Sequence, residues 1–309
     1  MEIVRGGVVS KLLEGVPIPK MFRAKQSFPR PLIKREDIPA AVWQAMEGER
    51  VASLIKPGMN IAITAGSRGI ANVDVITKAI VDFVKKKGAH PFIVPAMGSH
   101  GGATAEGQLQ ILEGYNITEE SMGCPIRSSM ETVLLGTSEL GKPVYLDKIA
   151  YHSDGIIVSC RVKPHNAFRG PYESGFCKMM VVGLGKQEGA ESVHSDGMGV
   201  IAKNLPANAK VILDKAPILM GVCTIENAYD ETARIAAVHR DDILTEEPGL
   251  LKEAFGNMPR LIVGECDVLI VDEIGKNYSG TGVTPTLQEP SPRLMPMAAS
   301  TCSGHVFLI

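Results

Sequence analysis

The feature that most constrains the fold is an alternation of short apolar runs with longer amphipathic stretches over residues 59–274. The runs have the length and composition of buried β-strands. The predicted strands are residues 59–63, 91–95, 155–159 and 211–213. Strand–helix alternation of this kind predicts an α/β fold with a mostly parallel, Rossmann-like sheet flanked by helices.

Helices are predicted between and after these strands. The first carries apolar residues at helical spacing: Val73, Ile76, Ile80, Phe83 and Val84. Asn72 is its expected N-cap and Gly88 its end, and Thr104 is the expected cap of the next helix. Residues 230–257 are predicted to be largely helical, with a further strand at residues 267–272.

This last strand is expected to begin a second α/β domain. We therefore predict one α/β domain over residues 1–262 and the start of a second over residues 263–309. Residues 283–309 contain four prolines, two charged residues and no clear period. An α/β domain is not expected to end in this way, so we expect the second domain to be incomplete and the C-terminus truncated.

Composition excludes several classes of function. The formal net charge is −2 and no long basic run occurs, which argues against binding to nucleic acid or to acidic membranes. The N-terminus lacks the apolar core of a signal peptide, and no stretch is apolar enough to span a bilayer. The six cysteines form no CxxC pair, which indicates reduced thiols and a cytoplasmic location.

Three loops that follow predicted strands carry side chains able to act in catalysis. They contain Arg68, His100 and His165. Ligands of parallel α/β sheets bind outside the carboxyl ends of the strands, so these loops are expected to lie together. Arg68 suits a carboxylate but could be a surface arginine. His100 lies in Gly-Ser-His-Gly-Gly and could serve as an acid or base, or simply bond its own turn.

A second group of candidates follows His165 in the chain. Lys178 lies in an apolar run, so it either extends to the surface or sits near a reaction centre with a lowered pKa. Gly183 and Gly185 lie in a turn suited to phosphate that matches neither standard nucleotide motif. His194 is structural or a metal ligand, and no CxxC or HxxxH spacing indicates an independent zinc site.

Taken in order, these elements resemble the lactate racemase family, which uses a nickel-pincer nucleotide. The resemblance covers roughly residues 15–282. It rests on the arginine loop, the Gly-Ser-His loop, the histidine at a strand end, Ser-Gly-x-x-Lys and His-Ser-Asp-Gly. The sixteen-residue step from Lys178 to His194 is also similar to the family's spacing between cofactor lysine and metal histidine.

The resemblance implies a cofactor site in the first domain. The family's pyridinium mononucleotide is held by a lysine through a thioamide bond and binds nickel through two sulfurs, a ring carbon and one histidine. Lys178 would be the attachment residue and His194 the nickel ligand. Gly183 and Gly185 complete the predicted cofactor-binding set. Proteins that synthesise the cofactor would be partners, and the oligomeric state is not indicated.

The resemblance also implies the reaction. A 2-hydroxy acid would be racemised or epimerised by reversible hydride transfer, with His100 and His165 as acid and base on opposite faces. Arg68 would bind the substrate carboxylate, and Lys276 could replace a lysine that the family's second domain supplies. The segment from His165 to Lys178 is longer than in the lactate enzymes, so the substrate need not be lactate.

Two other classes of function remain open at this stage. The α/β pattern also suits an NAD(P)-dependent oxidoreductase, although the GxGxxG motif is absent. A non-catalytic or inactive relative that binds an anionic ligand or a partner subunit is the third possibility, motivated by the unusual C-terminal segment.

Overall fold

A computed structural model of the protein describes residues 7–12, 14–17, 22–195, 197–260, 269–270 and 306–308. The chain divides into two compact units, Met1–Ser27 with Arg260–Ile309, and Phe28–Pro259. The first unit contains helix α1 (Val8–Leu12) and an antiparallel sheet of β1 (Phe22–Ala24), β10 (Val306–Leu308) and β9 (Leu269–Ile270). The predicted domain boundary at residues 262 and 263 lies outside the described residues, as does Lys276, and stays a prediction.

The second unit holds every other described element. Its strands are β2 (Asn60–Ala65), β3 (His90–Pro95), β4 (Thr132–Thr137), β5 (Pro143–Asp147), β6 (Gly155–Arg161), β7 (Ile218–Glu226) and β8 (Thr232–His239). Its helices are α2 (Ile38–Met46), α3 (Glu49–Ala52), α4 (Val73–Lys86), α5 (Ala105–Glu113), α6 (Glu119–Met122), α7 (Lys148–Tyr151), α8 (Phe176–Lys178), α9 (Lys186–His194), α10 (Ile201–Lys215) and α11 (Ile243–Asn257). None of the helices in the described parts of the chain is long and apolar enough to cross a membrane.

The central sheet of the second unit has the strand order β3-β2-β6-β7-β8. The first four strands are parallel, and β8 pairs antiparallel with β7 at one edge. This confirms the predicted α/β fold with a mostly parallel sheet. Because β2, β3 and β6 run in one direction, their ends at Ala65, Pro95 and Arg161 open onto the same edge of the sheet.

Apolar residues cover both faces of this sheet. Along β2, Ile61 and Ile63 pack into the core that includes α2 and α4, whereas Ala62 packs on the opposite face. Along β6, Ile156 faces the side of α8 to α11 and Ile157 faces the other. A strand buried on both faces is apolar at consecutive positions, which is why these two strands are evident in the sequence.

Two of the predicted elements were wrong. Residues 211–213 lie in helix α10, where Leu205, Ala209 and Ile212 form its buried stripe. Residues 232–239, expected to be helical, form β8, because pairing with β7 outweighs the helix propensity of their alanines. Helix α11 follows as predicted. The β4–β5 hairpin and β7 were not predicted.

The two predicted caps behave differently. Thr104 caps α5 as expected, since its hydroxyl accepts a hydrogen bond from Gly107 N at 3.1 Å. Asn72 precedes α4 but does not cap it with its side chain. That side chain accepts from Arg35 at 3.1 Å and donates to Thr232 at 3.1 Å, so it ties α4 to neighbouring segments instead.

A lysine is fully buried where the ends of several elements meet. Lys186, the first residue of α9, places Nζ 2.6 Å from Pro95 O and 3.0 Å from Asp147 Oδ2. It also lies 3.3 Å from Gln108 Oε1. Burial lowers the pKa of Lys186, and Asp147 opposes this effect. The ammonium group of Lys186 is therefore directed into the protein interior, where it contacts protein groups. It is not directed toward a phosphate, the ligand that the sequence predicted for this turn.

Lys186→Met should lower the free energy of unfolding by about 3–5 kcal/mol, because it leaves the Asp147 carboxylate buried without its cation. Urea titration of the full chain measures this loss. Lys210→Met is the matched control, since Lys210 pairs with Glu139 on the surface with both side chains about two-thirds exposed (66% and 64%). The control should change stability by at most about 1 kcal/mol. Equal losses in the two variants would contradict the assigned role of the buried pair.

Candidate active site

A cavity of about 560 Å³ opens at the carboxyl ends of the parallel strands. The loops after β2, β3 and β6 and the helices α8 and α9 contribute to its wall. Its lining includes five of the predicted site residues: Arg68, His100, Lys178, Gly183 and His194. The structure therefore brings together in space residues that are distant in the sequence. Their roles stay predictions.

The lining of the cavity is strongly basic. Arg68, Arg161, Lys163 and Lys178 contribute positive charges, against one carboxylate from Glu191. Arg161 forms an ion pair with Glu226, so its charge is locally balanced. No described residue forms a hydrogen bond or ion pair with the side chains of the other three basic residues, which makes the cavity suited to an anionic ligand.

Lys178 lies on α8, at the entrance to a π-helical turn formed by Met179–Gly183. Leu184 N donates to Met179 O at 2.8 Å, the longer spacing that defines such a turn and that often marks functional sites. Burial, and then the charge of Arg68, lower the pKa of Lys178 to about 8. A sizeable fraction of neutral, nucleophilic amine is therefore present near neutral pH.

Glu247 holds the beginning of α8 from beneath. Its carboxylate is buried and accepts a hydrogen bond from Cys177 N at 2.9 Å. A Cβ atom at Gly175 would lie 2.4 Å from Glu247 Oε1, so only glycine leaves room for this contact. Burial raises the pKa of Glu247 to about 7. Glu247 thus fixes the segment that carries Lys178 from outside the cavity.

His194 is the last residue of α9 and lines the cavity. Its Nδ1 lies 2.6 Å from Ala190 O, a contact that places the proton on Nδ1 and leaves the lone pair on Nε2. Metal-binding histidines are commonly oriented in this way. Among the described residues, no three His, Cys, Asp or Glu side chains gather into a metal site. The described side chains therefore do not by themselves complete a metal site at His194.

His100 is oriented by the neighbouring loop. Its Nδ1 forms a hydrogen bond with Ser67 Oγ. The backbone is held as well, since Gln108 Nε2 donates to Gly98 O at 2.9 Å and to His100 O at 3.3 Å. This contact of the ring joins two loops at strand ends, whereas the sequence had suggested a bond from His100 to its own turn.

His165 is half-buried beside the cavity, and it is not part of the lining described above. Its ring stacks on Phe168 with centroids 4.3 Å apart, and Nδ1 accepts from Ala167 N at 3.1 Å. Its own backbone N–H donates to the buried carboxylate of Glu173 at 2.6 Å. Burial, followed by the charges of Lys178 and Lys163, lowers the pKa of His165 to about 3. The imidazole is therefore neutral at physiological pH.

The two predicted glycines have a packing function in the structure. A Cβ at Gly183 would lie 2.8 Å from Ala96 O, and Gly183 O accepts from Gly98 N at 3.1 Å. A Cβ at Gly185 would lie 2.1 Å from Val181 O. Both glycines allow close backbone contact beneath the cavity. Gly183 is part of its lining and Gly185 is not, and binding of a cofactor by either stays a prediction.

Sequence reasoning assigned no role to Lys163 or to Glu247. Lys163 follows an apolar strand, as His165 does, so the rule that selected the histidine also applies to the lysine. Glu247 occupies a position in the buried stripe of α11, with Ile243 and Leu251 on either side at helical spacing. A charged residue at a core position was the available signal.

The sequence profile of the lactate racemase N-terminal domain matches residues 18–204. The structure is similar to that of the lactate racemase apoprotein from Thermoanaerobacterium thermosaccharolyticum, with a TM-score of 0.53 and 18% identity. The match covers 72% of this chain and 56% of that chain. At this identity the likeness concerns the fold alone. No curated protein matches the chain significantly.

The pKa of Glu247 yields a prediction for stability. In the unfolded chain this carboxyl ionises near pH 4.5, whereas in the fold it ionises at about 7. Its contribution to stability is therefore complete below the unfolded pKa and is lost as pH rises through about 7. Each tenfold change in proton affinity is worth about 1.4 kcal/mol. Wild-type protein should lose about 2–3 kcal/mol relative to Glu247→Gln between pH 5 and pH 8.

Urea titrations of both proteins at several pH values measure this difference. Glu246→Gln is the control, because Glu246 precedes Glu247 on α11 and is exposed. The control should follow the wild-type pH dependence. Parallel curves for wild type and Glu247→Gln would show that Glu247 does not titrate in this range.

Proposed function

The chain belongs to the lactate racemase family, and from this premise we propose that it inverts the 2-hydroxyl stereocentre of a 2-hydroxy acid. The observation that carries the proposal is a basic cavity lined by Arg68, His100, Lys178 and His194, with His165 beside it. The chain spans little more than half of the related racemase, 56% of its length. Activity, substrate and partners are therefore proposals.

We propose that the cavity holds a nickel-pincer nucleotide, and the residues present fit such a group. Lys178 is partly neutral near pH 8 and has no described partner, as a lysine that forms an amide-type bond requires. His194 turns Nε2 away from its bond to Ala190 and can supply one nitrogen to nickel. When bound, this cofactor supplies reversible hydride acceptance.

The remaining roles belong to the protein's own side chains. Arg68 would bind the substrate carboxylate through its planar fork, which fixes the hydroxyl-bearing carbon in the cavity. His100 and His165 would exchange a proton with the hydroxyl oxygen, one for each enantiomer. Two such groups are needed because the two enantiomers present their hydroxyl groups at different positions in the cavity.

The charges around His165 keep its imidazole unprotonated and also weaken it as a base. Its neutral imidazole is maintained by burial and by the positive charges of Lys178 and Lys163. Bond formation at Lys178 would remove one of these charges. The pKa of His165 would then rise, so the histidine could also hold a proton during the return step. The surrounding charges are therefore part of the proposed mechanism.

We also propose a reducing, cytoplasmic setting. Four cysteines, Cys124, Cys160, Cys177 and Cys223, are buried and unpaired. Free buried thiols are typical of proteins in reducing compartments.

The two alternative functions are an NAD(P)-dependent oxidoreductase and a non-catalytic relative that binds an anion. Both predict that Lys178 carries no adduct, so a test for the adduct separates them from a racemase.

Protein produced in cells that synthesise the cofactor should carry a covalent adduct on Lys178 together with nickel. Intact mass, peptide mapping and metal analysis measure both. Lys178→Arg should lose the adduct, because a guanidinium is not nucleophilic at neutral pH. Lys252→Arg is the control, since Lys252 is exposed on α11. Wild-type protein with the mass of the bare chain would argue against the proposed cofactor.

The three histidines should separate into two classes. His100→Ala and His165→Ala should each lower racemisation at least about 100-fold while nickel and the adduct persist, since proton transfer contributes about that much or more. His194→Ala should lose nickel. His152→Ala, outside the cavity lining, is the control and should retain both. Loss of nickel in the first two variants would reverse the assigned roles.

A further inference from the structure

We propose that Lys163 binds a second anionic group of the substrate, so that the preferred substrate is a 2-hydroxy dicarboxylic acid. This inference rests on the proposed function and adds the class of substrate to it. It follows from three observations: the position of Lys163, the balance of charge in the cavity, and the groups that surround Lys163.

Lys163 is held firmly at the cavity wall. It follows the end of β6, and its backbone forms two hydrogen bonds with Ser174, at 2.8 and 3.2 Å. Ser174 directly precedes Gly175, where the Lys178 helix begins. The backbone at Lys163 is thus fixed relative to the predicted cofactor lysine. Its side chain lines the cavity, is largely buried, and has no hydrogen-bond or ion-pair partner among the described residues.

The charge balance requires more than one anionic group. Arg161 is paired with Glu226, and a bond at Lys178 would abolish the charge of that lysine. Arg68 and Lys163 then remain as two unpaired cations. Burying an ammonium without a counter-charge is unfavourable, and a substrate with one carboxylate supplies one anion for these two cations. The other cation is then left to a second substrate carboxylate or to the phosphate of the proposed nucleotide, which the measurements of nickel and adduct below distinguish. A ligand with two carboxylates satisfies both.

Among the residues that the structure describes, no carboxylate forms an ion pair with Lys163 or Arg68. Glu226 is occupied by Arg161. Asp230 interacts electrostatically with Lys163 without forming an ion pair with it, and burial raises the pKa of Asp230. Glu191 also lines the cavity. It lies on α9, the helix that ends at His194, and accepts a hydrogen bond from Gln187 on the same helix at 2.7 Å.

The neighbours of Lys163 include residues proposed to act on the substrate. The charged groups that influence the pKa of Lys163 include Arg161, Lys178 and Arg68, and Lys163 in turn influences that of His165. Lys163 also lies two residues before His165, the proposed proton acceptor. The planar fork of Arg68 suits the carboxylate next to the reacting carbon, and the point charge of Lys163 suits a distal one.

The test uses Lys163→Met in cofactor-loaded protein, with L- and D-malate as dicarboxylates and L- and D-lactate as monocarboxylates. Methionine retains the apolar stem and removes the charge. For malate, kcat/KM should fall about 10–100-fold, the range expected for a lost hydrogen bond to a charged group. For lactate it should change less than about 3-fold, since no contact is lost. Lys163→Arg should recover most of the malate activity, and Lys252→Met should match wild type.

Two further measurements do not depend on turnover. Nickel and adduct content should be unchanged in Lys163→Met. Malate should raise the melting temperature of wild-type protein more than lactate does, and Lys163→Met should abolish that difference. Loss of nickel or adduct in Lys163→Met would overturn the inference, because it would assign the lysine to the cofactor.

The failure of this inference differs from the failure of the proposed function. Equal use of malate and lactate by wild type, with no selective loss in Lys163→Met, overturns the inference and leaves a racemase. Absence of turnover with every hydroxy acid tested, together with malate stabilisation that requires Lys163, overturns the proposed function and supports the dicarboxylate site.

Discussion

The arrangement of the cavity depends on the contacts that the buried ammonium group of Lys186 makes with three neighbouring segments. This group joins the carboxyl end of β3 at Pro95 O, the end of β5 at Asp147, and Gln108 on α5. Gln108 in turn holds the loop of His100, and Lys186 begins the helix that ends at His194. A buried ion pair adds little net stability over apolar packing. Its effect here is to allow one arrangement of these segments, since any other leaves a charge without a partner.

Buried carboxylates support the reactive side chains in a similar way from outside the cavity. Glu173, 1% exposed, accepts from the backbone N–H groups of His165 and Gly170 at 2.6 and 3.1 Å. Glu247 does the same for the first turn of α8. Each carboxylate satisfies backbone donors that would otherwise be buried without partners. Desolvation raises the pKa of both groups, so the fixed geometry of the site is obtained at a cost in stability.

The sequence predicted those parts of the fold that are set locally or by simple burial. Strands β2, β3 and β6 are apolar because they are covered on both faces, and the rule for parallel sheets then placed their loops together. Strand β8 was missed because its conformation depends on pairing with β7. Lys163 and Glu247 were visible only as charged residues beside or within apolar patterns. Their significance depends on partners, or on the lack of them, that only the assembled fold reveals.

The assembled charges explain why the cavity is suited to binding as well as to chemistry. Arg68, Lys163 and Lys178 meet in one partly buried space, and burial together with mutual repulsion lowers the pKa of both lysines to about 8. The fold therefore holds these side chains in an unfavourable state. A neutral bond at Lys178 and anionic groups at the other two would relieve that repulsion, and each would lower the free energy of the folded state. Ligand binding at these groups and the stability of the sheet edge are therefore coupled.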